Sequence, residues 1–156
     1  MTGSSLAIKW NMPGKAIFDI MVQHYTLTLG PYARGFHIIT NEILDIVSEW
    51  PDTGMLYAFI RHTSAGLCIN ENADPDVLHD FKLYFDQLAP ELMPGCKHDM
   101  EGPDDMPAHI KSTLTGASVH IPIINGRPGL GQWQGIYLCE FRDQARRRDI
   151  IVTIIS

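Results

Sequence analysis

Apolar residues spaced two apart, rather than at the 3.6-residue spacing of a helix, are the feature of this chain that most constrains its fold. Ile20 and Val22 lead into the alternating segment 25–29, which ends at Gly30-Pro31. Short apolar runs follow at 55–60, 67–69, 119–124, 135–140 and 150–155. Alternation and short β-branched runs bounded by glycine, proline or asparagine are typical of strands. The sequence therefore predicts a chain built mainly of strands.

Three segments between these strands carry helix signals. Thr40 is expected to cap a helix that runs to Pro51, and Asp74 a helix that begins at Pro75. Pro107 is expected to begin a third, short helix that ends near a glycine. Six apolar positions of the second helix are expected on one face: Val77, Leu78, Phe81, Tyr84, Phe85 and Leu88. The pattern predicts an α+β fold, an antiparallel or mixed sheet of sandwich-like form with two or three helices packed on it.

Composition limits the partners and the compartment. With 156 residues, 45% of them apolar, we expect one domain over residues 1–156. The formal charge of -6 argues against a nucleic-acid partner, and the basic run 146–148, flanked by Asp143 and Asp149, is interpreted as a solvated turn. No apolar stretch suits a signal peptide or a membrane span, so we expect no membrane partner. The three cysteines include no Cys-x-x-Cys pair, which favours a reduced, cytoplasmic protein.

Three histidines lie in polar segments that include many carboxylates: His62, His98 and His109. Neutral imidazole is the commonest protein ligand for zinc-like metals, and it also titrates near neutrality. We therefore predict that these three residues are catalytic and bind a divalent metal, zinc or magnesium. Asp104 and Asp105 could hold Mg²⁺. The alternative, in which each histidine only makes a local hydrogen bond, stays open because the sequence does not show that the rings meet.

Eight further residues are candidates for binding a ligand, although each also has a structural explanation. Asparagine and aspartate side chains mimic backbone turns, and a tryptophan after a glycine turn often anchors a core. Lysine could meet phosphate oxygens. Glu140 and Arg148 are interpreted as a cross-strand pair rather than a catalytic dyad. The eight candidates are Thr63, Ser64, Asn70, Asn72, Asp74, Lys111, Trp133 and Gln134.

In this order, the segments resemble the YjbQ-like family, an uncharacterised protein family whose members are sometimes labelled secondary thiamine-phosphate synthases. The resemblance implies a compact sandwich-like α+β fold, a homotrimer, and a polar cleft that holds the histidines. It also implies weak joining of a pyrimidine pyrophosphate to a thiazole phosphate. The segments that carry it span roughly residues 10–155: Arg34-Gly35-Phe36-His37 with Thr40, His62-Thr63-Ser64-Ala65-Gly66, Asn70-Glu71-Asn72-Ala73-Asp74-Pro75, residues 101–112, Ile121-Pro122-Ile123 with Asn125-Gly126-Arg127, residues 130–136, and Glu140 with Arg148.

Two functions follow as hypotheses. In the first, the chain is a small-molecule enzyme in which the three histidines bind a metal or share acid–base duty, acting on a phosphorylated substrate in the manner of a thiamine-phosphate synthase. In the second, it is a non-catalytic trimeric protein that holds a metal or a small molecule with the same histidines. Both hypotheses place the ligand in one cleft.

Overall fold

The computed structural model describes residues 4–9 and 19–156, with side chains from residue 20 onward. Residues 1–3 and 10–18, which belong to the predicted single domain, lie outside the described residues. The strands are β1 (Ser4–Lys9), β2 (Asp19–Leu29), β3 (Gly35–Ile38), β4 (Thr53–Ile60), β5 (Ala65–Glu71), β6 (Ser118–Ile124), β7 (Arg127–Pro128), β8 (Gln134–Glu140) and β9 (Arg148–Ile155). The helices are α1 (Thr40–Ile46), α2 (Pro75–Leu88) and α3 (Asp105–Thr115). None of the helices in these ranges is long and apolar enough to cross a membrane.

Two antiparallel sheets and three helices form the described part of the chain. One sheet has six strands in the order β1-β2-β9-β4-β6-β7, and the other has three in the order β3-β8-β5. The hairpin between β6 and β7 turns at Asn125-Gly126, where both residues have the positive φ angles that a tight turn of this kind requires. The architecture confirms the predicted α+β class with a sandwich-like arrangement of strands.

Alternate residues of the central strands fill the core between the two sheets. Ile150, Val152 and Ile154 of β9 and Ile136 and Leu138 of β8 are all fully or almost fully buried in one cluster. Because successive side chains of a strand point to opposite faces, this spacing of two is what one buried face requires. The period-two pattern of the sequence is thus the signature of the inter-sheet core.

The opposite face of the three-stranded sheet is also covered. Tyr137 and Cys139 of β8 point away from the first core into a second cluster, where they meet α2 and Ala108 of α3. Phe36 of β3 packs there against Phe81 and Phe85 of α2, with ring centroids 5.2 and 5.1 Å apart. The six-stranded sheet, the three-stranded sheet and the pair α2 and α3 therefore form three layers. Helix α3 is held directly on β5.

Gly66 allows helix α3 to approach β5 closely. A Cβ atom at this position would overlap with Thr115 Oγ1 and would lie 2.8 Å from the carbonyl oxygen of Gly116. The same carbonyl accepts a hydrogen bond of 2.9 Å from the backbone N–H of Leu67. The C-terminal end of α3 is thus fixed to the strand by backbone contact.

Several helix boundaries differ from the sequence prediction. Thr40 lies inside α1 rather than capping it, and its Oγ1 instead accepts a hydrogen bond of 2.9 Å from Ile136 N. Helix α1 ends at Ile46, before Pro51, whereas the Asp74 cap of α2 is confirmed by a bond of 2.9 Å from Asp76 N. Helix α3 begins at Asp105 rather than at Pro107.

The apolar face predicted for α2 is only partly covered. Phe81 and Phe85 pack on the second core, but Tyr84 and Leu88 are 68% and 64% exposed. The helix has no fully buried residue. The predicted stripe is therefore wider than the part that the sheet covers.

A buried ion pair joins the two sheets. Arg148 Nε and Nη2 donate to the two carboxylate oxygens of Glu140 at 2.7 and 2.6 Å, and both side chains are buried. The prediction of a cross-strand pair needs correction, because Glu140 ends β8 in one sheet and Arg148 begins β9 in the other. The pair closes the sandwich where the chain crosses between its sheets.

We expect Arg148→Met to lower the free energy of unfolding by about 3–5 kcal/mol, because it leaves a buried carboxylate without its counter-charge. The double variant Glu140→Gln/Arg148→Met removes both charges, keeps an oxygen for the N–H of Arg142, and should recover much of that loss. Urea unfolding of the three proteins measures the difference. A double variant no more stable than the single one would show that the charge is not the cause.

Candidate functional site

Two of the three predicted histidines meet at the N-terminal end of α3, together with a buried carboxylate. His98 Nε2 lies 2.7 Å and His109 Nε2 lies 3.4 Å from the same oxygen, Oδ2 of Asp105. One ligand atom from each residue can be chosen so that all three lie within 4.8 Å of one another. We call these residues, His98, Asp105 and His109, the triad.

Local structure places each member of the triad. Asp105 and His109 are four residues apart on α3, so they share one face of the helix. His98 comes from the loop between α2 and α3 and approaches from outside, with half of its side chain exposed. Asp105 itself is only 3% exposed. A buried carboxylate thus lies beneath two more accessible imidazoles.

A hydrogen bond fixes the orientation of the His109 ring. Its Nδ1 lies 3.0 Å from the carbonyl oxygen of Thr63, which can only accept a hydrogen bond. The ring proton of neutral His109 is therefore on Nδ1, and the lone pair of Nε2 points toward Asp105. Metal-binding histidines usually donate their second N–H to a carbonyl or carboxylate in this way. Thr63, a predicted ligand residue, thus contacts His109 through its backbone carbonyl.

Arg142 holds the carboxylate of Asp105 from the other side. One guanidinium nitrogen pairs with Asp105 Oδ1, which leaves Oδ2 facing the histidines. A second donates to the carbonyl oxygen of Glu101 at 2.8 Å, and Nε donates to Asp104 Oδ2 at 2.9 Å. Burial raises the pKa of Asp104, but hydrogen bonds from Asp143 N and Arg142 outweigh it and hold the pKa below its usual value. Both acids at the start of α3 are therefore paired with one arginine.

The triad fits a divalent transition metal. Two imidazole nitrogens and one carboxylate oxygen form a donor set of known catalytic zinc and non-haem iron sites, which keep a further position for water or substrate. Ligand atoms at zinc-bond length from a tetrahedral centre are about 3.3 Å apart. Here Asp105 Oδ2 lies 2.7 and 3.4 Å from the two imidazole nitrogens, and the three atoms lie within 4.8 Å of one another. Magnesium, which prefers oxygen ligands, suits this donor set less well.

His62, the third predicted ligand, lies outside the triad. Its Nε2 accepts a hydrogen bond of 2.8 Å from the backbone N–H of Asp149, so this nitrogen has no lone pair left for a metal. Partial burial, and secondarily the charge of Arg148, lowers the pKa of His62 from its ordinary value of 6.5. His62 lines, together with Ser64, a pocket of about 550 Å³ rich in arginine.

Lys111 forms a buried ion pair between two helices rather than lining a cleft. Its side chain is 1% exposed, and its Nζ donates to Asp86 of α2 at 2.6 Å. Lys82 and Arg34 also pair with Asp86. Burial raises the pKa of Asp86, but hydrogen bonds from these three cations hold it well below its usual range. Lys111 therefore ties α3 to α2 and has its charge neutralised.

The other predicted ligand residues group at the far end of β5. Asn70 lies six residues along the chain from Ser64, which corresponds to roughly 20 Å of extended strand. Asn72 donates to the carbonyl oxygen of Gln134 at 3.1 Å, and Asp74 caps α2. Trp133 is 60% exposed beside a shallow pocket. Within one chain, these residues are apart from the triad.

Comparison with known proteins identifies the family. A model of the family described as UPF0047 protein YjbQ-like matches residues 23–156. The chain belongs to the YjbQ-like family. The resemblance predicted from its motifs is thereby confirmed.

Similar proteins in the YjbQ-like family come from distant organisms. The UPF0047 protein YjbQ of Escherichia coli O157:H7 is 45% identical over 131 residues, which are 83% of this chain and 94% of the relative. The UPF0047 protein YugU of Bacillus subtilis is 43% identical over 119 residues, 76% and 87% of the two chains.

Solved structures share this fold. The conserved hypothetical protein TT1486 of Thermus thermophilus has a TM-score of 0.72 at 36% identity and covers 81% of this chain and 97% of its own. A YbjQ-like protein of unknown function from Sulfolobus solfataricus has a TM-score of 0.77 over 88% and 99%, and at 22% identity it shows the fold alone.

Sequence reasoning missed the residue that organises the site in this member of the YjbQ-like family. Arg142 lies 38 residues beyond Asp104, in the loop between β8 and β9, and carries no motif that marks it. The available signal was the pair Asp104-Asp105 near a predicted helix start, since carboxylates that become buried require a counter-charge. That signal predicts a cation but not which one.

The lowered pKa of His62 predicts a pH dependence of stability. Its neutral form is favoured in the folded state, so the contribution is present above the unfolded pKa of about 6.5 and is lost as the pH falls from there toward the folded pKa. We expect the melting temperature to fall less between about pH 7.5 and about pH 5.5 in His62→Gln than in wild type. His79→Gln, at an exposed position on α2, is the control and should follow wild type. Identical pH profiles of all three proteins would contradict the assignment.

Proposed function

We propose that the chain is a small cytoplasmic enzyme whose triad His98, Asp105 and His109 binds a divalent metal, zinc in preference to magnesium, and acts on a phosphorylated small molecule. The observation that carries this proposal is the arrangement of Asp105, whose Oδ1 is held by Arg142 while its Oδ2 faces two imidazole nitrogens. Such a metal would act as a Lewis acid on a phosphate or leaving-group oxygen. The reaction we name is the weak joining of a pyrimidine pyrophosphate to a thiazole phosphate, in which a bond forms between the two heterocycles, the bond from the pyrimidine to its pyrophosphate breaks, and pyrophosphate leaves.

A pocket beside the triad suits the organic part of such a substrate. His98 forms part of the wall of a largely apolar pocket of about 400 Å³, within the size range of small-molecule sites. Met93 of the loop between α2 and α3, and Met106 and Ile110 of α3, contribute apolar side chains to its wall. A heterocyclic ring bound there would place its substituents near the imidazole of His98.

The protein's own groups have defined roles in this proposal. Arg142 fixes the Asp105 carboxylate, and the Thr63 carbonyl fixes the tautomer of His109. Preorganised ligands avoid the cost of rearranging the site when substrate binds. His98, the more exposed of the two imidazoles, is the group best placed to contact substrate.

Metal content measured by elemental analysis tests the ligand set. Asp105→Asn, His98→Ala and His109→Ala should each weaken metal binding by at least roughly 10–100-fold, the effect typical of residues that only support metal ligands. His62→Ala and His79→Ala, which leave the triad intact, should bind metal like wild type. Equal loss in His62→Ala would restore the predicted three-histidine set, and unchanged binding in the triad variants would refute the site.

Turnover of the pyrimidine pyrophosphate and thiazole phosphate by the same proteins tests the activity. We expect product formation by wild type that depends on added metal and is lost in the triad variants. Unchanged activity in all three would contradict the enzymatic assignment. Metal binding without turnover would favour the non-catalytic binding protein.

We also propose that the chain assembles as a homotrimer, as the resemblance implies. Exposed apolar side chains on α2, the following loop and α3 support an assembly, among them Leu83, Tyr84, Met100 and Leu114, which do not line the pocket beside His98. Burying them between copies would contribute about 25 cal/mol for each Å² removed from water. Light scattering should give three times the mass of one chain, and Leu83→Lys/Leu114→Lys should lower that mass. A monomeric wild type would overturn the proposal.

A further inference from the structure

A second pocket, distinct from the apolar one beside His98, collects positive charge on an otherwise acidic chain. It has a volume of about 550 Å³ and is lined by Arg142, Arg146, Arg147 and Arg148, together with His62 and Ser64. Among the described residues that line it, Glu101 is the one carboxylate. We call it the arginine pocket. Its composition contrasts with the net charge of -6 of the whole chain.

Two of these arginines are already neutralised by buried partners. Arg148 pairs with Glu140, and Arg142 pairs with Asp104 and Asp105. These contacts hold the two guanidinium groups in fixed positions in the wall of the pocket. Arg142 and Arg148 therefore fix the shape of the pocket wall, but their charges are already balanced.

Arg146 and Arg147, the other two arginines, are exposed. Across the described residues, no carboxylate lies within ion-pair distance of Arg146 or Arg147. The acids that flank the run act elsewhere, because Asp143 pairs with Arg34 at 3.2 Å and Asp149 accepts from Thr28 at 2.8 Å. Within the run 146–148, interpreted from sequence as a solvated turn, Arg148 is buried and paired, whereas Arg146 and Arg147 form a local excess of cations beside a concave surface.

Neutral hydrogen-bond donors complete the pocket. Because His62 Nε2 accepts from Asp149 N, the proton of its neutral ring is on Nδ1, which makes that atom a donor. The hydroxyl of Ser64 is a second donor in the same wall. Guanidinium groups combined with neutral N–H and O–H donors are a recognition set suited to phosphate oxygens.

We propose that the arginine pocket binds the phosphate or diphosphate group of a small molecule, with Arg146 and Arg147 supplying the charge and His62 and Ser64 supplying hydrogen bonds. The pocket is within the volume range of small-ligand sites. Two unbalanced arginines are too few for the roughly 6–10 phosphate contacts of a nucleic-acid interface. The physiological identity of the ligand rests on the proposed function, whereas anion binding itself does not require the metal.

Arg142 connects this pocket to the triad. The same guanidinium group lines the arginine pocket and contacts Asp105. A phosphate in the pocket is therefore one side chain away from the carboxylate that faces His98 and His109. The arrangement assigns a phosphate group that takes no part in the reaction to the arginines, and leaves the phosphate or leaving-group oxygen that reacts to the triad.

Titration calorimetry of the metal-free full chain with pyrophosphate, at constant ionic strength, tests the proposal. Arg146→Ala and Arg147→Ala should each weaken binding roughly tenfold, the equivalent of one charge-assisted hydrogen bond. Arg127→Ala removes an exposed arginine from β7 and should bind like wild type. Equal weakening in Arg127→Ala would indicate general attraction to positive charge, and no binding by wild type would refute the pocket.

Histidine ring NMR spectra of the same metal-free protein locate the anion. Pyrophosphate should shift the signals of His62 and leave those of His98 and His109 nearly unchanged. Shifts confined to His98 and His109 would place the anion at the triad and overturn this inference. Loss of metal binding with retained pyrophosphate binding would refute only the proposed metal site, and the reverse result would refute only the arginine pocket.

Discussion

The carboxylate of Asp105 is the group on which the candidate site depends. An ionised carboxylate that is almost entirely removed from water is costly unless it is paired and hydrogen-bonded. Arg142 supplies the pairing, and in doing so it brings the loop between β8 and β9 against the start of α3. The remaining oxygen then has a fixed direction, toward His98 and His109. The need to compensate one buried charge therefore determines which oxygen the two imidazoles approach.

The strands and the general fold follow from local patterns in the sequence. The alternation in β9 is visible because each second residue faces the inter-sheet core, and β8 is a continuous apolar run because both of its faces are covered. The sequence does not predict strand β3, because four residues are too few to show a period. It misplaces the start of α3, because buried aspartates, rather than Pro107, begin the helix.

The candidate site is only partly predictable, since it depends on contacts between distant segments. His98 and His109 are found because histidine is a recognisable ligand, and Asp105 because acids accompany them. The sequence prediction includes His62 because of its residue type. In the structure, the lone pair of its Nε2 accepts a hydrogen bond from the backbone N–H of Asp149, 87 residues along the chain. The sequence neighbours of the arginine run suggest that its charge is balanced, whereas in three dimensions those acids face other partners.

The absence of a side chain at Gly66 has a mechanical consequence for the distant end of α3. The helix contacts β5 through backbone atoms at its C-terminal turn. Nearer its N-terminal end, His109 is hydrogen-bonded to the carbonyl of Thr63 in the loop between β4 and β5. A methyl group at position 66 would overlap with the C-terminal turn of α3 and push that end of the helix away from β5. His109 would tilt away from its oxygen acceptor, although the substitution touches no ligand. The geometry of the triad thus depends on residue 66, which allows the close contact because it has no side chain.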